Sequence, residues 1–295
     1  MIATQAKQKI AQSTLRVGSL LPILAILDEF GSDSEEVFGA AGINPSLIDD
    51  PDMLIPYAAR GKLIARSVEA TGCQHFGLLI GQRMDLHSLG LPGLLARSLP
   101  NVEAALQTLQ KYFAAHTTGA ALELEIEEDI ATLTYAFLAP NVEATDQLGG
   151  GAIAGLFNVM NSLCGPGFQA LEASFAHRKP ADIRPFREFF QIPLYFNAPR
   201  YSLIFSRKWL DARPPTADEE LQRVLRKQVD TLEARRTENF PEHVKLLIRS
   251  ALATGECSET GIAALLSLRP RTFIRRLESA GTSFHDLLDE TRFEL

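Results

Sequence analysis

The sequence predicts an α+β domain followed by a short all-α module. Apolar residues recur at helical spacing through roughly the first hundred positions. Two runs between Leu122 and Phe137 then alternate strictly, the period of half-buried strands. The last thirty-odd residues return to helical spacing around an arginine-rich segment. Helices first, then a hairpin, a helix and further strands give α+β rather than a parallel α/β sheet.

The elements follow in order. Leu20, Leu21, Leu24 and Leu27 share helical spacing, Gly31 closes that helix, and Ser32 with Glu35 forms a capping box for the next. The apolar run Ser19–Leu27 falls short of the roughly 20 residues that span a bilayer. Asp28 and Glu29 stand where a signal-peptide cleavage site needs small residues. Ile55-Pro56 precedes a helix with Leu63, Ile64 and Val68 on one side and Thr71-Gly72 at its end. From Leu15 to about Arg97 the whole stretch reads as helical. Asn101 caps a helix through Leu106, Leu109 and Phe113.

Leu122–Glu127 and Ala131–Phe137 make a hairpin about Glu128-Asp129, with Glu123, Glu125 and Glu127 on its solvent face. Gln147–Cys164 is a helix entered through Gly149-Gly150-Gly151 and broken by Gly165-Pro166-Gly167. Leu171–Phe175, Leu194–Phe196 and Tyr201–Phe205 read as strands, with a short helix in Pro180–Phe190. Arg213-Pro214-Pro215 is the clearest boundary, after which Thr216 and Glu219 cap a highly charged helix to Arg236. That helix carries Leu221, Val224, Leu225 and Leu232. The expected organisation is a domain over 1–212, a linker helix over 213–239 and a final module over 240–295.

Composition narrows the function classes. The 295 residues are 46% hydrophobic and 22% charged, with a formal net charge of -7. Net acidity argues against a nonspecific nucleic-acid coat protein but allows a basic module at one end. Cys73, Cys164 and Cys257 are odd in number and widely spaced, so a disulfide framework is not expected and a cytoplasmic location is.

No catalytic, cofactor or metal constellation emerges. Gly149, Gly150, Gly151 and Gly155 lack the lysine and Ser/Thr of a phosphate loop, leaving a flexible helix entry or a close helix contact. Cys73 and His75 have no second ligand pair nearby. Asp85 with His87, and Glu172 with His177, are acid–histidine neighbours with no nucleophile motif beside them. Phe113, His116, Tyr135, Phe137 and Phe157 are candidates to line a cavity for an apolar or amphipathic ligand, or equally to form core.

The final module has geometry that can be worked through. A short apolar helix from Gly261, a tight break and a second helix starting at Pro270 give a helix-turn-helix pattern. Four of the eight residues Arg269–Arg276 are arginine. With Pro270 first in its helix, Phe273 and Leu277 face inward, Arg271 and Arg275 lie one turn apart on another face, and Thr272 and Arg276 lie alongside. A helix that enters the major groove needs this division, because arginine can bond a guanine edge or neutralise phosphate. The arginines by themselves also suit a solvated basic face.

Residues 261 to 292, with Arg-Thr-Phe-Ile-Arg-Arg-Leu and then Gly-Thr-Ser-Phe-His-Asp-Leu-Leu, resemble the first half of the DNA-binding domain of AraC/XylS-type transcription regulators. His177-Arg-Lys-Pro180 through Phe186, Phe190, Tyr195-Phe196-Asn197 and Leu203-Ile-Phe205 resemble the end of the arabinose-binding-like N-terminal domain in one branch of that family. The resemblance implies a small-molecule-sensing, dimerising domain coupled to two helix-turn-helix units joined by a long helix. It implies double-stranded DNA and a small-molecule effector as partners, pairing into a homodimer, and no membrane. Arg271, Ile274 and Arg275 would face the groove, with Arg269, Thr272 and Arg276 as phosphate or flanking contacts.

Three positions depart from the family pattern. Ser267 stands where the turn usually has glycine, and Arg269 where the cap is usually serine. No second helix-turn-helix follows Leu295, so the expected module is incomplete, either as a fragment or as a naturally short product. A small-molecule-binding or dimerisation protein without independent DNA binding is the alternative reading.

Overall fold

The computed structural model describes residues 13–139, 141–238, 240–241, 244–245, 248, 257–265 and 270–294. One compact unit spans Thr14–Arg226, and a second includes Lys227–Leu295.

The first unit opens with a two-stranded sheet, β1 (Thr14–Arg16) antiparallel to β2 (Leu54–Pro56), with Leu15 opposite Ile55. This corrects the all-helical reading of that stretch. Strands of three residues whose partners lie some forty positions away leave no periodic run to detect. Between them lie α1 (Leu21–Glu29) and α2 (Ser34–Ala41). Helix α1 buries Ile23, Ile26 and Leu27 and leaves Leu21 exposed.

The cap of α2 is Asp33, whose carboxylate accepts from the Glu36 amide at 3.1 Å, not the expected Ser32–Glu35 box. Ser32 is used in closing α1: its amide donates to the Leu27 carbonyl while Gly31 takes φ +67°, a left-handed turn that favours glycine. The next helix therefore starts one residue later. Helix α3 (Tyr57–Thr71) buries Tyr57, Arg60, Gly61, Leu63, Ile64 and Ser67. Helices α4 (Phe76–Gln82), α5 (Leu91–Arg97) and α6 (Val102–His116) follow. Asn101 caps α6 as expected, accepting from the Ala104 amide at 2.8 Å.

The main sheet contains β3 (Ala120–Glu127), β4 (Ile130–Phe137), β5 (Ala170–Phe175), β6 (Leu194–Phe196) and β7 (Tyr201–Ser206), in the order β3-β4-β7-β5-β6. Neighbours are antiparallel except β5 and β6, which are parallel. The connection between those two contains α8 (Arg184–Phe190). Glu123, Glu125 and Glu127 are exposed as expected, and Glu125 pairs with Arg200 at 2.6 Å.

Helix α7 (Thr145–Cys164) packs against the sheet and against α4. Its glycines lie inside the helix rather than at its entry, and their role is close contact. A Cβ on Gly81 would stand 2.2 Å from the Gly151 carbonyl oxygen, and one on Gly149 would meet the Tyr201 ring at 2.2 Å.

Helix α9 (Glu219–Glu238) crosses the boundary between the units. Asp218 caps it, accepting from the Glu220 and Leu221 amides at 2.9 Å each. The expected Thr216–Glu219 box is corrected, because the Thr216 hydroxyl donates instead to the Arg97 carbonyl at 2.8 Å. Leu221 and Val224 are exposed and Leu225 is buried, while the Leu232 side chain lies outside the described residues.

In the second unit α10 (Glu259–Leu265), α11 (Pro270–Ser279) and α12 (Phe284–Glu294) share a core with Phe240, Val244 and Ile248. Gly281 ends α11 at φ +75°, with the Thr282 amide donating to the Leu277 carbonyl and the Gly281 amide to that of Glu278. Ser283 and Asp286 cap α12 reciprocally: each accepts from the other's amide. Among the described residues no helix is long and apolar enough to cross a membrane.

Candidate functional site

Among the described residues two places are candidate sites, one in each unit. The first is α11. Phe273 and Leu277 are 0% and 1% exposed, and the Phe273 ring lies 5.9 Å from Phe240 and 6.2 Å from Phe284. Those contacts fix the rotation of the helix about its axis. Arg271, Arg275 and Arg276 are exposed, as is Ile274. The Arg276 guanidinium stands 5.8 Å over the Phe240 ring, which ties it to the flank of the helix. Among the described residues none of these three arginines forms an ion pair. Arg269 and the side chain of Thr272 lie outside the described residues.

The second place is a cavity of about 50 Å³ between α3, α6, α7 and β4. Phe113, His116 and Tyr135 all line it, with the Phe113 ring 5.7 Å from His116 and edge-on to Tyr135. Phe137 and Phe157 do not. Phe137 packs edge-on between Tyr135 and Tyr201, and Phe157 joins Phe168, Phe189 and Phe190. Helical rotation accounts for the position of Phe157: α7 presents Ala152, Gly155, Leu156 and Val159 to the cavity, which turns Phe157 elsewhere.

The polar groups of the cavity are unusual. Burial, then the charges of Arg60 and Arg16, depress the His116 pKa to about 3, so its imidazole is neutral, and among the described residues its Nδ1 has no hydrogen-bond partner. Arg60 is 7% exposed and its Nε is likewise without a partner. Asp85 also borders the cavity, but its carboxylate is held by the Ser88 amide and hydroxyl and by His87 Nδ1 at 2.9 Å. Burial raises the Asp85 pKa, and these hydrogen bonds outweigh it, so the carboxyl titrates below its usual range. The sequence reading missed Arg60. Its signal was present in the spacing of Tyr57, Arg60, Gly61 and Ile64, which places a cation on the inward face of a helix.

Among the described residues no three His, Cys, Asp or Glu side chains converge to hold a metal ion. The three cysteines are free thiols.

Residues 31–214, over half of the chain, match the family model described as the arabinose-binding domain of AraC transcription regulator, N-terminal. The chain is 25% identical over 276 residues to the ornithine utilization regulator of Pseudomonas aeruginosa, covering 92% of this chain and 81% of that protein. It is 26% identical over 293 residues to the HTH-type transcriptional regulator VirS of Mycobacterium tuberculosis, covering 95% and 83% respectively. A crystal structure of transcriptional regulator CdpR from Pseudomonas aeruginosa aligns with a TM-score of 0.45 at 20% identity, over 74% of this chain and 71% of that one. The chain belongs to the AraC-type transcription regulators that carry an N-terminal arabinose-binding domain.

Proposed function

We propose that this regulator binds double-stranded DNA through α11 and that a small-molecule effector in the first unit controls it. The division of α11 is the observation that carries the reading: Phe273 and Leu277 seal one face, and Arg271, Ile274 and Arg275 stand out on another. Helices α10 and α11 would then be the first helix-turn-helix of the DNA reader, with α11 in the major groove. Arg276, and by position Arg269 and Thr272, would serve phosphates at the flanks. Residues 1–212 would sense the effector and pair two copies of the chain, 213–239 would link, and 240–295 would carry this reading unit.

The effector site would be the cavity of Phe113, His116 and Tyr135. Its present volume is far below the roughly 300 Å³ at which ligand pockets begin, so a metabolite would have to displace side chains on entering. That requirement suits a sensor, because an effector shifts a conformational equilibrium only if it binds one state better. The free thiols support action in the cytoplasm. The test is a titration of labelled duplex with the wild-type chain and with Arg275→Ala, run beside a melting curve of each protein. Loss of binding with an unchanged melting temperature supports the reading; retained binding removes it.

A further inference from the structure

Arg60 poses a chemical question that the fold leaves open. It lies on the inward face of α3, one turn beyond Tyr57 and one turn before Ile64, and it is more than nine-tenths buried. Arginine is almost never buried to this degree without a partner, because burial strips its charge of much of its hydration. A partner would ordinarily be Asp or Glu. Among the described residues its guanidinium makes no ion pair and no hydrogen bond, and its Nε is an orphan. The carboxylate that borders the same cavity, Asp85, is committed to Ser88 and His87.

The other donors around the cavity are mostly occupied. The Thr117 hydroxyl donates to the Thr14 carbonyl at 2.8 Å, and the Tyr135 hydroxyl is paired with that of Tyr57 at 2.8 Å. Among the described residues that line the cavity, what remains is the guanidinium and the buried, unpartnered Nδ1 of His116. The rest of the wall is apolar: Leu89, Leu109, Leu122, Leu156 and Val159. A guanidinium offers two parallel N–H groups that match the two oxygens of a carboxylate. A phosphate would need more donors than this wall supplies, and the charge on Asp85 disfavours a dianion. The void of about 50 Å³ exceeds one water's share of roughly 30 Å³, which is room for a carboxylate group and little more. Met84, on the wall and unbranched, is a side chain that can yield to the remainder of a ligand.

We infer that Arg60 receives the carboxylate of a small monocarboxylic effector, whose apolar remainder lies among Leu109, Leu156 and Val159. The inference rests on the effector-sensing reading above and names the chemical class of the effector. His116 stands by as a second, neutral donor, and the bound anion supplies the counter-charge that the fold withholds from Arg60.

The test uses the full chain and a set of simple probes. Sodium butyrate, hexanoate and octanoate are compared with the matched primary alcohols, and with sodium chloride and sodium phosphate at equal ionic strength, by thermal shift. A ligand that binds only the native state raises its melting temperature. The expected result is stabilisation by at least one carboxylate, none by its alcohol, and no more than a salt effect from chloride or phosphate. Arg60→Gln should lose that response and, without ligand, melt at or above the wild-type temperature, because an uncompensated charge has been removed. If Arg60→Gln does not fold, Ala152→Leu fills the cavity with Arg60 intact and should lose the response as well.

A wild-type chain indifferent to every carboxylate overturns the proposal, as does a response that survives in either folded variant. An equal response to carboxylate and alcohol also overturns it. Titrating the same wild-type preparation with DNA separates the two readings. DNA binding without a carboxylate response sinks only this inference, and a carboxylate response without DNA binding sinks only the reading of α11.

Discussion

The hydroxyls of Tyr57 and Tyr135 lie 2.8 Å apart, joining helix α3 to strand β4 in the cavity wall. Both side chains are buried, and burial first of all pushes both phenol pKa values up, so the pair stays protonated through the physiological range. One hydroxyl donates and the other accepts. Removing either leaves its neighbour buried without that partner. Tyr57→Phe and Tyr135→Phe should each cost about 1–3 kcal/mol by denaturant unfolding. The double variant should cost less than the two together, because no orphan remains. Additive losses would show that the two hydroxyls act independently.

The contact of α4 with α7 depends on Gly81, where a Cβ would stand 2.2 Å from the Gly151 carbonyl oxygen. Backbone cannot swing aside as a side chain can. Gly81→Ala should therefore destabilise by roughly 1–3 kcal/mol or more. Among the described residues, nothing lies within 4 Å of a Cβ added to Gly39 in α2, and its φ is not positive. Gly39→Ala should instead be neutral or stabilise by up to about 1 kcal/mol. Melting temperatures that move in the same direction for both variants would contradict this helix contact.

His116 makes stability depend on pH. Folded, it takes a proton only near pH 3; unfolded, near its ordinary 6.5. Across that window the unfolded chain binds more protons, so stability rises with pH and levels off above about 6.5. Lowering the pH from about 7 to about 5 should cost on the order of 2 kcal/mol through this one residue. His116→Leu should flatten the slope. A smaller slope of the same sign should persist, because burial also lowers the pKa of His177. A slope unchanged in His116→Leu would mean that the imidazole is hydrated in the native state.

Much of the fold was legible because many elements keep one face in water. Glu123, Glu125 and Glu127 mark the open side of β3, and Phe273 with Leu277 marks the sealed side of α11. Pairings distant in sequence were not legible: Thr14–Arg16 finds Leu54–Pro56 only in three dimensions. Tandem cap candidates were ambiguous by one or two residues, and hydrogen bonds made elsewhere by Ser32 and Thr216 decided for Asp33 and Asp218. In the cavity, Phe113, His116 and Tyr135 could be proposed as aromatic neighbours of a hairpin. Arg60 was passed over because a single arginine in a helix reads as surface until its partners are counted.

Phe273 anchors α11 to Phe240 and Phe284. Phe273→Ala should destabilise the second unit by about 3–5 kcal/mol. That loss is expected to unfold α10–α12 while the first unit keeps its transition in calorimetry. A single, unshifted transition for the variant would contradict the packing of α11.

The most direct measurement takes a duplex enriched by the wild-type chain from a randomised library and titrates it by fluorescence anisotropy, at several salt concentrations, with wild type, Arg271→Ala, Arg275→Ala and the double variant. The expected result is specific binding that weakens steeply with salt and falls by roughly 1–3 kcal/mol for each arginine that bonds a base edge in a bidentate manner and is replaced. Both exposed arginines should be removable without lowering the melting temperature. A double variant that binds the selected duplex as tightly as wild type, with the same salt dependence, would contradict the assignment of α11 as the reading helix.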